Sequence, residues 1–163
     1  MVYLITFSCY GTRLHGDPNG SVDRDHNIAD TPFLDPDRTR NLKEQASLKL
    51  PLFFLDHGQR DCGLAAIRRL CEEKTWTLLA AHLRKTHVHV VLDAPIEPER
   101  VLNALKTGIS RNLNRVFGRR DLRWTRHGST RYLWTAEQIR DAIHYVTEKQ
   151  GEPMAVYARG CER

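Results

Sequence analysis

His87-Val88-His89 stands in a run, Thr86 to Leu92, whose composition predicts a buried β-strand. Side chains alternate faces along a strand, so both imidazoles leave on one face. Val88, Val90 and Leu92 leave on the other face and can line a core. Two neutral imidazoles side by side on a rigid element can hold a divalent metal ion with coordination positions left open. A site of two histidines needs a third ligand and a substrate oxygen. The competing reading is two polar residues on an exposed sheet face, and only the rest of the chain can choose between them.

Tyr145 is the second residue of interest. On a helical wheel of about 100° per residue, Ile139, Ala142, Ile143 and Val146 cluster as a buried stripe. Tyr145 lies on the flank, roughly 110° from the stripe centre, with Asp141 and Glu148 in its neighbourhood. A flank tyrosine can pack its ring on a core and still present its hydroxyl at a cleft. Tyr3 and Tyr10 fall in the first strand, Tyr132 in a strand-like segment and Tyr157 in the tail. None of these combines a rigid helix with flanking acids.

The elements that must position these groups follow from periodicity. Residues 2 to 10 alternate and predict a strand, and Gly11 to Pro36 reads as a polar loop or insertion. Within it, Asp17 to Asp23 looks like a calcium loop. Val22 stands where glycine is needed and Ile28 where glutamate is needed, so the segment is taken as turns. Arg38 to Leu50 has helical composition, ended by Pro51. Cys62 to Lys74 is helical, with Leu64, Ile67 and Cys71 as its stripe. Trp76 to Leu83 and the histidine strand form a hairpin about the turn Arg84-Lys85-Thr86. A long helix then runs to about Phe117, with the stripe Leu102, Leu105, Ile109, Leu113, Val116. Trp124 to Trp134 is strand-like with a break at Gly128-Ser129, and a last helix starts at a Thr135/Gln138 capping box. The order β-α-β-β-α-β is that of the ferredoxin-like split unit. It predicts an α+β fold: an antiparallel sheet with two helices on one face and the tyrosine helix over the other.

At 163 residues the chain has the size of one domain, and its apolar runs fall well short of the ~20 residues that span a bilayer. The N-terminal segment reads as strand rather than signal peptide. Cys9, Cys62, Cys71 and Cys161 are scattered, which argues against a zinc ribbon or a disulfide scaffold. The net charge of +5, carried mostly by arginine, suits a phosphate-rich partner. The basic candidates are Lys106, Arg111 and Arg115 on the long helix and Arg119 and Arg120 in the following turn. Arg123, Arg126 and Arg131 lie near the last strand. Trp124, Tyr132 and Trp134 alternate with them, and flat rings beside cations suit single-stranded nucleic acid.

The N-terminal strand ending in Gly11-Thr12, the segments His15-Gly16-Asp17 and Gly20 to Arg24, the strand with His87-Val88-His89 and the late helix with Tyr145 together resemble the single-tyrosine HUH transposases. The nearest branch by these motifs is the REP-associated and small insertion-sequence type. The likeness runs from about Tyr3 to Gln150 and treats residues 1–163 as a single HUH transposase-like domain, with a loop-rich insertion at about 11–60. It implies a ferredoxin-like or RRM-like domain acting on single-stranded or hairpin DNA. His87 and His89 become ligands of Mg²⁺ or Mn²⁺, and Tyr145 becomes the nucleophile of a 5′-phosphotyrosine intermediate. The family's third ligand stands four residues after the tyrosine. That position is Lys149, which cannot coordinate while protonated, so Gln150 (by chemistry) and Glu148 (by geometry) are the candidates. The resemblance also implies a cytoplasmic, bacterial-type, nucleoid-associated setting and no membrane. It leaves open a homodimer, in which some relatives swap the tyrosine helix.

Rival readings are weaker. A two-histidine phosphoesterase needs a pair of separated His-x-Thr/Ser motifs, and there is no such pair. An RRM-type binding module lacks its Lys/Arg-Gly-Phe/Tyr-Gly/Ala-Phe-Val signature. A domesticated protein that binds hairpins without cutting them is kept in play by Lys149.

Overall fold

The computed structural model describes residues 1–12, 46 and 48–160. The loop expected at Gly11 to Pro36 from residue 13 on, most of the helix expected at Arg38 to Leu50, and Cys161 lie outside the described residues. The elements run β1 (Val2–Ser8), α1 (His57–Glu73), β2 (Thr77–Leu83), β3 (His87–Asp93), α2 (Pro98–Phe117), β4 (Ser129–Leu133), α3 (Ala136–Glu148) and β5 (Ala155–Ala158). The sheet order is β4-β1-β3-β2-β5, every neighbouring pair antiparallel. The first four strands and their helices form the expected ferredoxin-like unit, an α+β fold.

Alternation along β3 sorts the two faces. Val88, Val90 and Leu92 are buried in one core with Ile67 of α1 and Leu102, Leu105, Ile109 and Leu113 of α2. Val91 leaves on the other face and joins Ala80, Leu133, Ala142 and Val146 in a second core beneath α3. Each fully buried aliphatic side chain is worth about 1.5–3 kcal/mol, so reversing this strand's faces would be prohibitive.

Several boundaries differ from the sequence reading. α1 starts at His57, five residues before the expected Cys62, because Asp56 and Gln59 form a capping box. The loop before it is tied to the core. Phe53 and Leu55 are buried, and their amides donate to the carbonyls of Tyr10 and Lys85. Val116, expected in the stripe of α2, is 55% exposed, since the helix runs a turn beyond Leu113, its last buried residue. Tyr157, expected in a tail, lies in β5 on the free edge of β2.

Candidate active site

Both imidazoles leave β3 on the α3 side, and the two rings sit edge to face with centroids 4.8 Å apart. Each is held at Nδ1 by a threonine hydroxyl. Thr6 Oγ1 lies 2.8 Å from His89 Nδ1, and Thr86 Oγ1 lies 2.9 Å from His87 Nδ1. Thr6 reaches across because it is the register partner of His89 on β1. An outer hydrogen bond at Nδ1 of this kind is the usual arrangement that orients a histidine for metal binding through Nε2.

Tyr145 comes to the same place. Its ring meets the His89 ring edge to face at 5.6 Å, and the residue is 45% exposed. The contact is made within one chain. α3 is fixed at its N-terminus by the Thr135/Gln138 capping box, which the sequence had shown. At the other end His82 holds it. This residue is fully buried, and its Nδ1 lies 2.9 Å from the Val146 carbonyl oxygen. Val146 is near the end of α3, where carbonyls lack an intrahelical donor. The amide of Met154 donates to His82 Nε2 at 3.2 Å, so Nδ1 must carry the proton and donate to Val146. Burial, chiefly, holds His82 below the usual imidazole pKa, so the neutral form is the native one.

His82, Thr6 and Thr86 were missed by sequence reasoning. A signal existed for the first two. The hairpin register that follows from the turn at Arg84-Lys85-Thr86 places His82 opposite His89. Thr6 is the polar residue among apolar neighbours on β1.

The third-ligand candidates fare differently. Gln150 Nε2 donates to the Tyr145 backbone carbonyl at 3.3 Å, which holds the amide against the C-terminal end of α3. Glu148 is exposed, and among the described residues no three His, Cys, Asp or Glu side chains gather as a metal site. Lys149 closes α3, its backbone amide donating to the Tyr145 carbonyl. The two imidazoles, oriented through Nδ1, are donors of the kind a divalent ion takes, and Gln150 stands at the end of α3.

The basic candidates do not share one surface. Arg131 pairs with Leu4 on β1 and so stands on the face of Thr6 and His89. Arg111 and Arg115 are exposed on α2, on the opposite side of the sheet. Arg115 donates to Asn112 Oδ1, and Arg119 lies 3.5 Å from Asp121. Arg126 is exposed, whereas Arg120 is half-buried and donates to the Pro51 and Leu122 carbonyls. Lys106 is a correction. Its ammonium is buried and spent on the carbonyls of Thr125, Arg126 and His127, so it anchors a loop instead of facing solvent. Burial pushes its pKa down to about 8. Arg123 is buried as well, at 4% exposure. Trp134 is 70% exposed and stacks flat on Tyr132 at 5.1 Å. Trp124 is instead a packing residue, edge-on to Phe7 at 5.0 Å with its indole N–H on Ser110.

No helix of the described residues is long and apolar enough to cross a membrane. No curated protein matches the sequence. A solved structure described as a REP-associated tyrosine transposase bound to a REP hairpin is similar, at 12% identity and a TM-score of 0.48. The match covers 90% of this chain and 64% of that one, so the chain spans under two thirds of that protein's length. The family described as IS200-like transposase matches residues 55–148, from the residue before the N-cap of α1 to the end of α3. That span is more than half of the chain and includes the histidine strand and the tyrosine helix, and the protein belongs to the IS200-like transposase family.

Proposed function

We propose that this protein nicks and rejoins single-stranded or hairpin DNA through a 5′-phosphotyrosine intermediate on Tyr145. The observation that carries this reading is the convergence of Tyr145 on His89, and of His89 on His87, from two elements far apart in sequence. The Tyr145 hydroxyl gives up its proton and its oxygen attacks the scissile phosphorus. The bond to the 3′ oxygen breaks, and that oxygen leaves as a hydroxyl after taking a proton. Attack by a 3′-hydroxyl on the phosphotyrosine reverses the step, so joining needs no external energy source. An unperturbed phenol has a pKa of about 10, so the site must favour its deprotonation. A divalent ion, Mg²⁺ or Mn²⁺, held by His87 and His89 would supply charge neutralisation and orientation at the phosphate. Thr6 and Thr86 fix the imidazoles, His82 and the Thr135 cap fix the helix, and Arg131 offers a cation on the same face. DNA as partner also accords with a bacterial-type cytoplasmic, nucleoid setting.

Tyr145→Phe should abolish the covalent adduct seen on a denaturing gel with hairpin DNA and Mn²⁺, while hairpin affinity stays within about twofold. Adducts persisting in that variant would remove Tyr145 as nucleophile. One observation favours the second reading, a hairpin-binding protein that no longer cuts. Lys149 stands where the third ligand is expected, and Glu148 does not complete the histidine pair. Wild-type protein that binds the hairpin and forms no adduct with either metal would decide for it.

A further inference from the structure

The loop from α2 to β4 folds back along α2 and encloses a cleft of about 600 Å³. Ser110 and Asn114 of α2 line one side, and Arg119, Arg120, Arg123 and Arg126 line the other. Arg123 is the unusual member. It is 4% exposed, its Nη2 donates to the Gly118 carbonyl at 3.0 Å, and its Nε and Nη1 have no hydrogen-bond partner. Its guanidinium lies over the Phe53 ring at 5.5 Å, and Arg120 lies over the same ring at 5.0 Å. Two cations thus share one aromatic ring, and no carboxylate pairs with either among the described residues. Burial first, and Arg120 second, hold the Arg123 pKa below the usual guanidinium range. Both causes act against the charged form, as expected where a counter-anion is missing.

Two further lining side chains can donate. Ser110 Oγ accepts from the Trp124 indole and keeps its own hydroxyl proton to give. Asn114 Oδ1 accepts from the Arg120 amide, which turns its amino group to donate elsewhere. The one carboxylate in the lining, Asp121, is taken by Arg119 at 3.5 Å.

We propose that this cleft is an anion site for a phosphate group, with the unpartnered Nε–H and Nη1–H groups of Arg123 at its floor and Arg120, Ser110 and Asn114 as further donors. Charge-assisted hydrogen bonds from guanidinium N–H groups suit phosphate oxygens, and a donor set converging from several directions suits a tetrahedral anion better than a planar carboxylate. These N–H groups are shielded from solvent, so the entering phosphate draws the Arg123 side chain toward the cleft. The cleft lies on the α2 side of the sheet, away from His87, His89 and Tyr145, so this phosphate is not the one cut. The site does not depend on the Tyr145 chemistry. The same chemistry can be presented by a nucleic-acid backbone or by free phosphate.

The test is thermal unfolding of the full chain in inorganic phosphate against chloride at equal ionic strength. Wild type and Tyr145→Phe should gain several degrees in phosphate, and Arg123→Met should gain none. The Tyr145→Phe arm keeps this result separate from the adduct chemistry. A hairpin oligonucleotide that displaces phosphate identifies the backbone as the source. In that case Arg123→Met should flatten the salt dependence of hairpin binding by about one phosphate contact, a slope change of roughly 0.7–0.9. Phosphate binding that the oligonucleotide leaves untouched identifies free phosphate. Equal responses of wild type and Arg123→Met to phosphate would overturn the proposal. If Arg123→Met does not fold, the Arg123 Nε–H resonance of wild type decides. A saturable shift with phosphate supports the site, and an unmoved resonance overturns it.

Discussion

Thr6 decides how His89 faces, since its hydroxyl lies 2.8 Å from the ring nitrogen that a metal would not use. Removing such an outer hydrogen bond typically costs 10–100-fold in metal affinity or activity. Thr6→Val should therefore lower the rate of adduct formation about 10–100-fold while hairpin retention on a native gel stays unchanged. His82 acts at one remove, through the Val146 carbonyl. Asn can place an amide donor where Nδ1 stood, whereas Gln reaches the Nε2 position. His82→Asn should accordingly keep more adduct activity than His82→Gln. His82 also makes stability depend on pH. Its native pKa is depressed, so between that value and the ordinary value of about 6.5 the unfolded chain binds the extra proton. The stability is full above about pH 6.5 and falls as the pH drops toward the native pKa. Urea midpoints at pH 7.5 and 5.5 should differ more for wild type than for His82→Asn.

Among the elements, α3 has the most to position and few buried residues of its own, only Ala142 and Val146. Its caps therefore matter. Thr135→Ala removes the side chain that accepts from the Gln138 amide and should cost about 1 kcal/mol, read as a lower urea midpoint with an unchanged slope. The capping box was legible because both partners are neighbours in sequence. The Asp56/Gln59 box of α1 was equally local, but polar residues in the first turn hid it. β5 was not legible. Ala155 to Ala158 is too short to show alternation, and it becomes a strand because β2 offers an unpaired edge, a fact of the whole sheet.

Across the molecule, the sheet divides the basic residues. Arg131 stands on the face of the histidines, while Arg111 and Arg115 stand on α2 behind it. Arg131→Ala should slow adduct formation at saturating hairpin by about the factor of ten that a lost charged hydrogen bond allows. The double variant Arg111→Ala, Arg115→Ala should weaken hairpin binding and lessen its salt dependence, with the saturated adduct rate unchanged. The sequence could not make this division, because it shows charges along a helix without showing which face of the sheet that helix covers.

The amino-acid order by itself determined what depends on neighbours in the chain. It set the alternation that sends His87 and His89 to one side, the periodicity of α2 and α3, the caps, and the succession of elements that leads to the ferredoxin-like sheet. Tertiary structure alone decided which distant groups meet. It put His82 under Val146, Thr6 beside His89, Lys106 inside a ring of carbonyls and Arg123 on Phe53. The reason is physical. Periodicity is written every two to four residues, whereas the burial of a polar group is set by partners brought from dozens of residues away. The sequence names the donors, and only the packed chain assigns their acceptors.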